Sequence, residues 1–242
     1  MSKSLSKNIN PEFINQKTRK LAYIYLAIFA PFQTVLAIFS NKRLFFGEWY
    51  FVINIILQLA LIILPILWYF LVDKKEFKPR MPKREELKIS LIFGSIFATI
   101  IFAVYYFIFK PNLHFDTANY SYFSKEVFII FALFISFFNA FSEEFNYRFM
   151  IFGQLKNLSL SKQKASFLTG LIFSVHHIFL VVPLAGISLG LWLGILTLVI
   201  LTIVSCIWSF LYQKYNSLYP TYFIHIMADL DLFMVGFDAL FL

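Results

Sequence analysis

Acidic, basic and imidazole side chains lie inside long apolar runs in three parts of the chain. They are Glu143, Glu144, Arg148, His176, His177, His225, Asp229 and Asp231. A charge in the middle of a bilayer costs about 2.5–3.5 kcal/mol on insertion scales, so we expect these groups to share one polar site inside a helix bundle. Peptide hydrolysis needs a base for water and donors for the oxyanion. Metal-assisted hydrolysis uses a similar set, two histidines and a carboxylate, so both chemistries stay open.

The two adjacent glutamates differ in what their neighbours on a helix can offer. Glu144 and Arg148 are four residues apart with the acid first, which is the favourable order for an ion pair on a helix. This pair is either a structural salt bridge or part of the catalytic machinery. Glu143 is turned about 100° away from Glu144 on the helix. It is therefore the better candidate for a base that takes a proton from water.

The histidines and aspartates give a second half of the predicted site. His225 and Asp229 are four residues apart and share one helix face, so Asp229 can orient the imidazole or face the substrate beside it. His176 and His177 are adjacent, so only one of them can face the site squarely. Asp231 points about 160° away from Asp229, toward water or a partner elsewhere.

The apolar runs predict an all-α fold, a polytopic transmembrane helix bundle. Hydrophobic residues make up 60% of the 242 residues and charged residues 14%, whereas soluble domains are roughly 45–50% apolar and about 25% charged. Seven runs approach the 20 or so residues that cross a bilayer. They are Leu21–Phe39, Trp49–Val72, Ile89–Phe109, Val127–Phe141, Ala165–Val182, Ile187–Tyr212 and Leu218–Leu240. We expect the fourth to continue as helix through Phe152. The sixth is long enough to divide, which would give eight crossings.

The basic residues predict the orientation of the chain in the membrane. With the N-terminus in the cytoplasm, the cytoplasmic side collects 17 of the 21 Lys and Arg residues, a strong positive-inside bias. We therefore expect a multi-pass protein of the cell membrane with its C-terminus outside. Residues 1–20 are predicted to be a polar cytoplasmic tail and residues 21–242 a single transmembrane domain. The same bias explains the net charge of +8 without nucleic acid as a partner.

Other hydrolase patterns are weak in this sequence. It has no His-Glu-x-x-His pair of the usual zinc helix. The run Gly186-Ile-Ser188-Leu-Gly190 matches G-x-S-x-G but lacks the strand–turn–helix context of that motif, so we interpret it as close helix packing. The single cysteine, Cys206, lies in an apolar run without a neighbouring base, which disfavours a thiol nucleophile.

Three short motifs, taken in order, resemble the CPBP family. They are Glu143-Glu144-x-x-x-Arg148, Phe173-x-x-x-His177 and His225-x-x-x-Asp229. The family includes the CAAX prenyl endopeptidases and bacterial proteases associated with bacteriocin processing and self-immunity. Each motif alone is common. The ordered triple on separate membrane helices is more specific, and the similarity runs from about Phe128 to Leu232.

The resemblance implies an all-helical intramembrane endopeptidase with a core at about residues 124–240. It implies that Glu143 and His177 activate water and that His225 and Asp229 bind the oxyanion or a metal. It selects His177 over His176 because Phe173 lies four residues before it. Glu144 and Arg148 would support the site or orient the substrate. A metal, with zinc the expected ion, would be held by the set Glu143, His177, His225 and Asp229, and the alternative is no cofactor.

Two departures from the family pattern stand out. Asp229 lies where many members have Asn, and an ionised Asp cannot donate a hydrogen bond to an oxyanion. This favours metal ligation by Asp229, or orientation of His225. Phe149 lies where a Gly is common after the Arg, and the sequence offers no interpretation of that change.

The function predicted from these observations is an intramembrane endopeptidase that cuts a membrane-associated peptide or protein. A non-catalytic membrane immunity or scaffold protein is one alternative. A proton-coupled transporter is another, although the first three spans carry no Asp, Glu, His, Lys or Arg, and repeated halves with matching polar sites are therefore missing. The high Phe, Ile, Lys and Asn content is typical of an AT-rich bacterial genome. That makes a prenylated substrate less favoured than a peptide pheromone, a bacteriocin precursor or a leader peptide.

Overall fold

The computed structural model describes the backbone of residues 11–40, 49–74, 76, 80–111, 124–182 and 187–242. Residues 1–10 of the predicted tail, the loop with Lys42 and Arg43, and the side chain of Ser188 lie outside the described residues. The described residues form seven helices and no strand. The prediction of an all-helical fold is therefore confirmed for this part of the chain.

The helix bounds follow the predicted spans. We number them α1 (Pro11–Ser40), α2 (Trp49–Leu67, continuing as a π-helix over Trp68–Val72), α3 (Arg84–Val104, then a π-helix over Tyr105–Phe109), α4 (Lys125–Asn157), α5 (Lys162–Val181), α6 (Ile187–Tyr215) and α7 (Tyr219–Phe241). The sixth run is one continuous helix, and the fourth continues past Phe152 to Asn157. Helix α1 begins at Pro11, so it includes ten residues of the predicted tail.

Four helices in the described part of the chain are long and apolar enough to cross a membrane. They are Arg84–Ile108, Lys125–Asn157, Lys162–Val181 and Gly190–Tyr215. Helix α6 exposes large apolar side chains on one side, with Trp192 72% and Ile203 56% exposed, while Thr202, Ser205 and Ser209 are buried. A soluble protein places these residue types the other way round. The burial pattern therefore supports a helix with one side facing lipid and the other packed in the protein.

The chain divides into two compact units, and the first contains residues 1–57 and 150–206. Helix α1 buries one stripe in this unit, formed by Ala22, Tyr25, Phe29 and Gln33, and it packs against α5 and the end of α4. Helices α5 and α6 approach closely at Gly170, where a Cβ would lie 3.0 Å from the Thr202 carbonyl oxygen. The Ser174 and Thr202 hydroxyls are 3.0 Å apart at the same contact.

The second unit contains residues 58–149 and 207–242, and helices α3 and α7 pack against each other along it. The Ser90 hydroxyl lies 3.3 Å from the Pro220 carbonyl near the start of both helices. The Tyr105 hydroxyl donates to Asp238 at 2.7 Å near the far end of both. The two helices are therefore parallel.

The start of α7 is held by a small polar cluster. The Arg80 guanidinium binds the Glu86 carboxylate through two nitrogens, one at 2.9 Å, and this hydrogen bond raises the pKa of Arg80. The Tyr219 hydroxyl donates to the Arg80 carbonyl. Asn216, at a φ of 47°, turns the chain from α6 into α7, a backbone conformation that Asn tolerates better than most residues. These contacts determine where α7 begins, and His225 follows less than two turns later.

Candidate active site

The two adjacent glutamates lie on a short regular segment of α4 between two π-helical segments. Residues Ala140–Glu144 are α-helical, Ile135–Asn139 before them and Phe145–Ile151 after them are π-helical. Glu143 is 6% and Glu144 1% exposed. π-helical turns are uncommon and occur frequently at functional sites. Here they widen the helix on both sides of the two carboxylates.

Both carboxylate oxygens of Glu144 are engaged by neighbours. The Arg148 Nε atom lies 3.2 Å from Glu144 Oε2, and the two side chains are 0% and 1% exposed. The His225 Nδ1 atom lies 3.1 Å from Glu144 Oε1. A carboxylate can only accept, so Nδ1 is the donor of this bond. Glu144 therefore links the buried cation to the imidazole.

The other nitrogen of the His225 ring faces two further carboxylates. Its Nε2 atom is 3.7 Å from Glu143 Oε2 and 3.6 Å from Asp229 Oδ1. The second oxygen of Asp229 is buried and has no hydrogen-bond partner among the described residues. If Nδ1 carries its proton toward Glu144, the neutral ring has a lone pair at Nε2. Three acceptor atoms then lie close together: His225 Nε2, Glu143 Oε2 and Asp229 Oδ1. Such a buried group requires a proton or a cation between its members.

Two residues that the sequence interpretation missed belong to the same cluster. The Asn139 side-chain amide donates to Glu143 Oε1 at 3.0 Å. The indole of Trp208 contacts both the His225 ring, 4.9 Å away between centroids, and the guanidinium carbon of Arg148, 5.4 Å from the ring centroid. The sequence could have indicated Asn139, because it is a polar residue in an apolar helix and lies four positions before Glu143. It gave no such indication for Trp208, because a Trp in an apolar run is ordinary.

The second histidine motif lies in the other unit, on α5. The His177 Nδ1 atom is 3.0 Å from the Phe173 carbonyl oxygen, and a carbonyl can only accept, so Nδ1 is the donor. This leaves the lone pair of the neutral ring at Nε2, the form that acts as a base or a metal ligand. His176 is 4% exposed and its ring packs edge-on against Phe173, with ring centroids 5.6 Å apart.

Asp231 lies on the α7 face opposite to Asp229, as the helical spacing predicts. It is 9% exposed, and its Oδ2 atom has no hydrogen-bond partner among the described residues. Among the described residues, no hydrogen bond or ion pair joins Asp231 to the cluster around His225.

A family comparison covers the region that holds all of these motifs. Residues 125–230 match the family model of the Rce1-like type II CAAX prenyl endopeptidases. The match covers 106 of the 242 residues, somewhat less than half of the chain. The resemblance drawn from the three motifs is confirmed for this region, and the family that it matches is one of endopeptidases. No curated protein and no solved structure gives a significant match to the chain.

The residues around His225 fit a divalent metal. Ligand atoms about 2.0–2.2 Å from a tetrahedral zinc ion are separated from each other by roughly 3.4 Å. The separations of 3.6 Å and 3.7 Å from His225 Nε2 are close to that value. The buried Asp229 Oδ2, which has no hydrogen-bond partner among the described residues, offers a further oxygen to such an ion. The Nδ1 bond to Glu144 is also the kind of outer contact that orients a metal-bound histidine.

Proposed function

We propose that the protein is an intramembrane endopeptidase that hydrolyses a peptide bond of a membrane-associated peptide or protein. The observation that carries the proposal is the arrangement at His225, whose Nε2 faces Glu143 and Asp229 while its Nδ1 is held by Glu144. Buried acids and imidazoles at matched positions are typical of active sites. Their position in a domain of a protease family selects peptide hydrolysis over other uses of activated water.

In the proposed reaction, Glu143 takes a proton from water as the water oxygen attacks the carbonyl carbon of the scissile bond. His225, protonated at Nε2, donates to the oxyanion that forms. The proton then passes from Glu143 to the leaving nitrogen, the C–N bond breaks, and a carboxylate and an amine result. By the resemblance, His177 shares the activation of water with Glu143, and Phe173 belongs to the same motif. That assignment rests on the motif Phe173-x-x-x-His177.

The remaining residues support this chemistry. Because both oxygens of Glu144 are engaged, we assign Glu144 and Arg148 to holding His225 rather than to contact with the substrate. An ionised Asp229 cannot donate to an oxyanion, so we assign it to orienting His225. A divalent metal, when bound, would be held by Glu143, His225 and Asp229, with His177 as the fourth ligand by resemblance, and would supply a Lewis acid for the carbonyl.

We also propose seven membrane crossings, with the N-terminus in the cytoplasm and the C-terminus outside. Seven helices and the distribution of basic residues support this. Helices α3 and α7 are both odd-numbered, and such helices run in the same direction in a seven-crossing chain, as their parallel packing requires. Epitope tags on the two termini test it in intact cells. The C-terminal tag should be accessible from outside and the N-terminal tag protected. Both tags on one side would refute the topology.

The test of the proposed function compares the wild type with Glu143→Gln in liposomes. Two internally quenched peptides serve as probes, a farnesylated peptide ending in a CAAX sequence and its unmodified counterpart. As a second readout that does not depend on these peptides, new protein N-termini in membranes of expressing cells are measured by mass spectrometry. We expect cleavage by the wild type. In the variant kcat should fall about 1,000-fold or more, as when an essential catalytic group is removed.

The matched control is Glu126→Gln, an exposed glutamate at the start of the same helix, which should retain full activity. Cleavage by Glu143→Gln at the wild-type rate would remove Glu143 from the reaction. A phenotype that persists in Glu143→Gln without any proteolysis would support the immunity or scaffold alternative instead.

A further inference from the structure

Trp208 closes a ring of contacts around the candidate active site. Its indole touches the His225 ring at 4.9 Å and the Arg148 guanidinium at 5.4 Å. Arg148 binds Glu144, and Glu144 binds His225. Each of the four side chains thus contacts the next, and Trp208 is only 3% exposed.

The indole can do two things that no other member of this ring does. The face of an indole attracts cations, most strongly where water is excluded, so it stabilises the buried Arg148 in addition to the ion pair with Glu144. The indole also presents a flat surface to the His225 ring. A single hydrogen bond at Nδ1 fixes one direction of the His225 ring, and contact with the indole, at an interplanar angle of 44°, fixes its tilt. Phe97 packs edge-on against Trp208 at 6.4 Å and keeps the indole in place.

We propose that Trp208 is a positioning residue for the hydrolytic site. It holds the plane of His225 so that Nε2 points toward Glu143 and Asp229, and it acts through His225 and Arg148 without touching the substrate. This inference rests on the proposed endopeptidase function. It adds a residue from α6, a helix that contributes none of the three sequence motifs.

The experiment compares Trp208→Phe with Trp208→Leu. It uses the two quenched peptides described above and the mass-spectrometric measurement of new N-termini. Leucine keeps apolar bulk but has no ring face, whereas phenylalanine keeps a ring. We expect kcat to fall about 10- to 30-fold for Trp208→Leu with KM within twofold, and to recover to within about threefold of the wild type for Trp208→Phe. Trp192→Leu, an exposed Trp on the same helix (72% exposed), is the matched control and should not change kcat.

The melting temperature of each variant separates positioning from packing. If both Trp208 variants lose activity only in proportion to their melting temperatures, or if leucine and phenylalanine give the same kcat, the inference is wrong. Where Trp208→Leu does not fold, Trp208→Met replaces it in the comparison with phenylalanine. Absence of cleavage by the wild type itself would refute the proposed function, an outcome distinct from a failure of the Trp208 inference.

Discussion

The buried ion pair between Glu144 and Arg148 leads to the sharpest prediction about stability. Its side chains are 1% and 0% exposed, and Arg148 Nε lies 3.2 Å from Glu144 Oε2. Removing one partner of a buried pair leaves a charge without compensation and costs about 3–5 kcal/mol. At 1.36 kcal/mol for each factor of ten, Arg148→Met should lower the folding equilibrium constant by a factor of roughly 150–5,000.

A double-mutant cycle isolates the pair from the packing around it. Glu144→Gln alone leaves Arg148 without its counterion and should cost a similar amount. The double variant replaces both charges of the pair by uncharged side chains, and the glutamine carbonyl can still accept from His225 Nδ1. We expect it within about 1–2 kcal/mol of the wild type, since replacing both partners of a buried pair is often near neutral. The two single effects should therefore be non-additive by at least about 3 kcal/mol.

The free energy of unfolding is measured in bicelles by steric trapping. Lys110→Gln serves as the control, because the ammonium of Lys110 pairs with Asp238 at 2.6 Å but is 47% exposed. That hydrogen bond raises the pKa of Lys110, but solvent screens such pairs, so we expect little change. A single Arg148→Met variant as stable as the wild type would refute the reasoning, as would a double variant whose loss equals the sum of the singles.

Two further predictions concern hydrogen bonds that position α4. Asn139→Leu removes the donor to Glu143 Oε1, at 3.0 Å, and should lower kcat about tenfold; rates of peptide cleavage check it, and an unchanged rate would contradict it. Tyr222→Phe removes the hydroxyl that donates to the Phe137 carbonyl at 3.2 Å and should cost about 0.5–1.5 kcal/mol of stability. Steric trapping measures that loss, and no loss would mean that water replaces the hydroxyl.

Much of the fold could be predicted because a membrane imposes a simple rule on sequence. A run of about 20 apolar residues is helical, since lipid offers no partner to backbone amides. That rule gives the bounds of α3 and α6 to within a few residues. It gives no information about π-helical turns, which depend on packing. The segments Ile135–Asn139 and Phe145–Ile151 were not predicted for this reason.

The candidate site was predictable where its residues share a helix and unpredictable where they do not. Glu144 with Arg148, and His225 with Asp229, follow from a spacing of four residues. The contact between Glu144 and His225 joins residues far apart in the chain, and only the bundle brings them together. Trp208 is the extreme case, because its role depends wholly on two partners from other helices. The assignment of His177 to the same site stays a prediction.

The charges around His225 explain why an aspartate at position 229 matters. With the imidazole protonated, Glu143 and Glu144 balance Arg148 and His225, and Asp229 adds one negative charge that no described neighbour compensates. A proton shared between Asp229 and Glu143, or a cation bound between them, supplies the missing charge. Asn, which many members of the family have at this position, removes the need for either. Asp229→Asn should therefore stabilise the protein by about 1–3 kcal/mol and make cleavage insensitive to chelators. A destabilised Asp229→Asn variant that loses activity would show that the carboxylate is itself required, as a ligand or as the partner of His225.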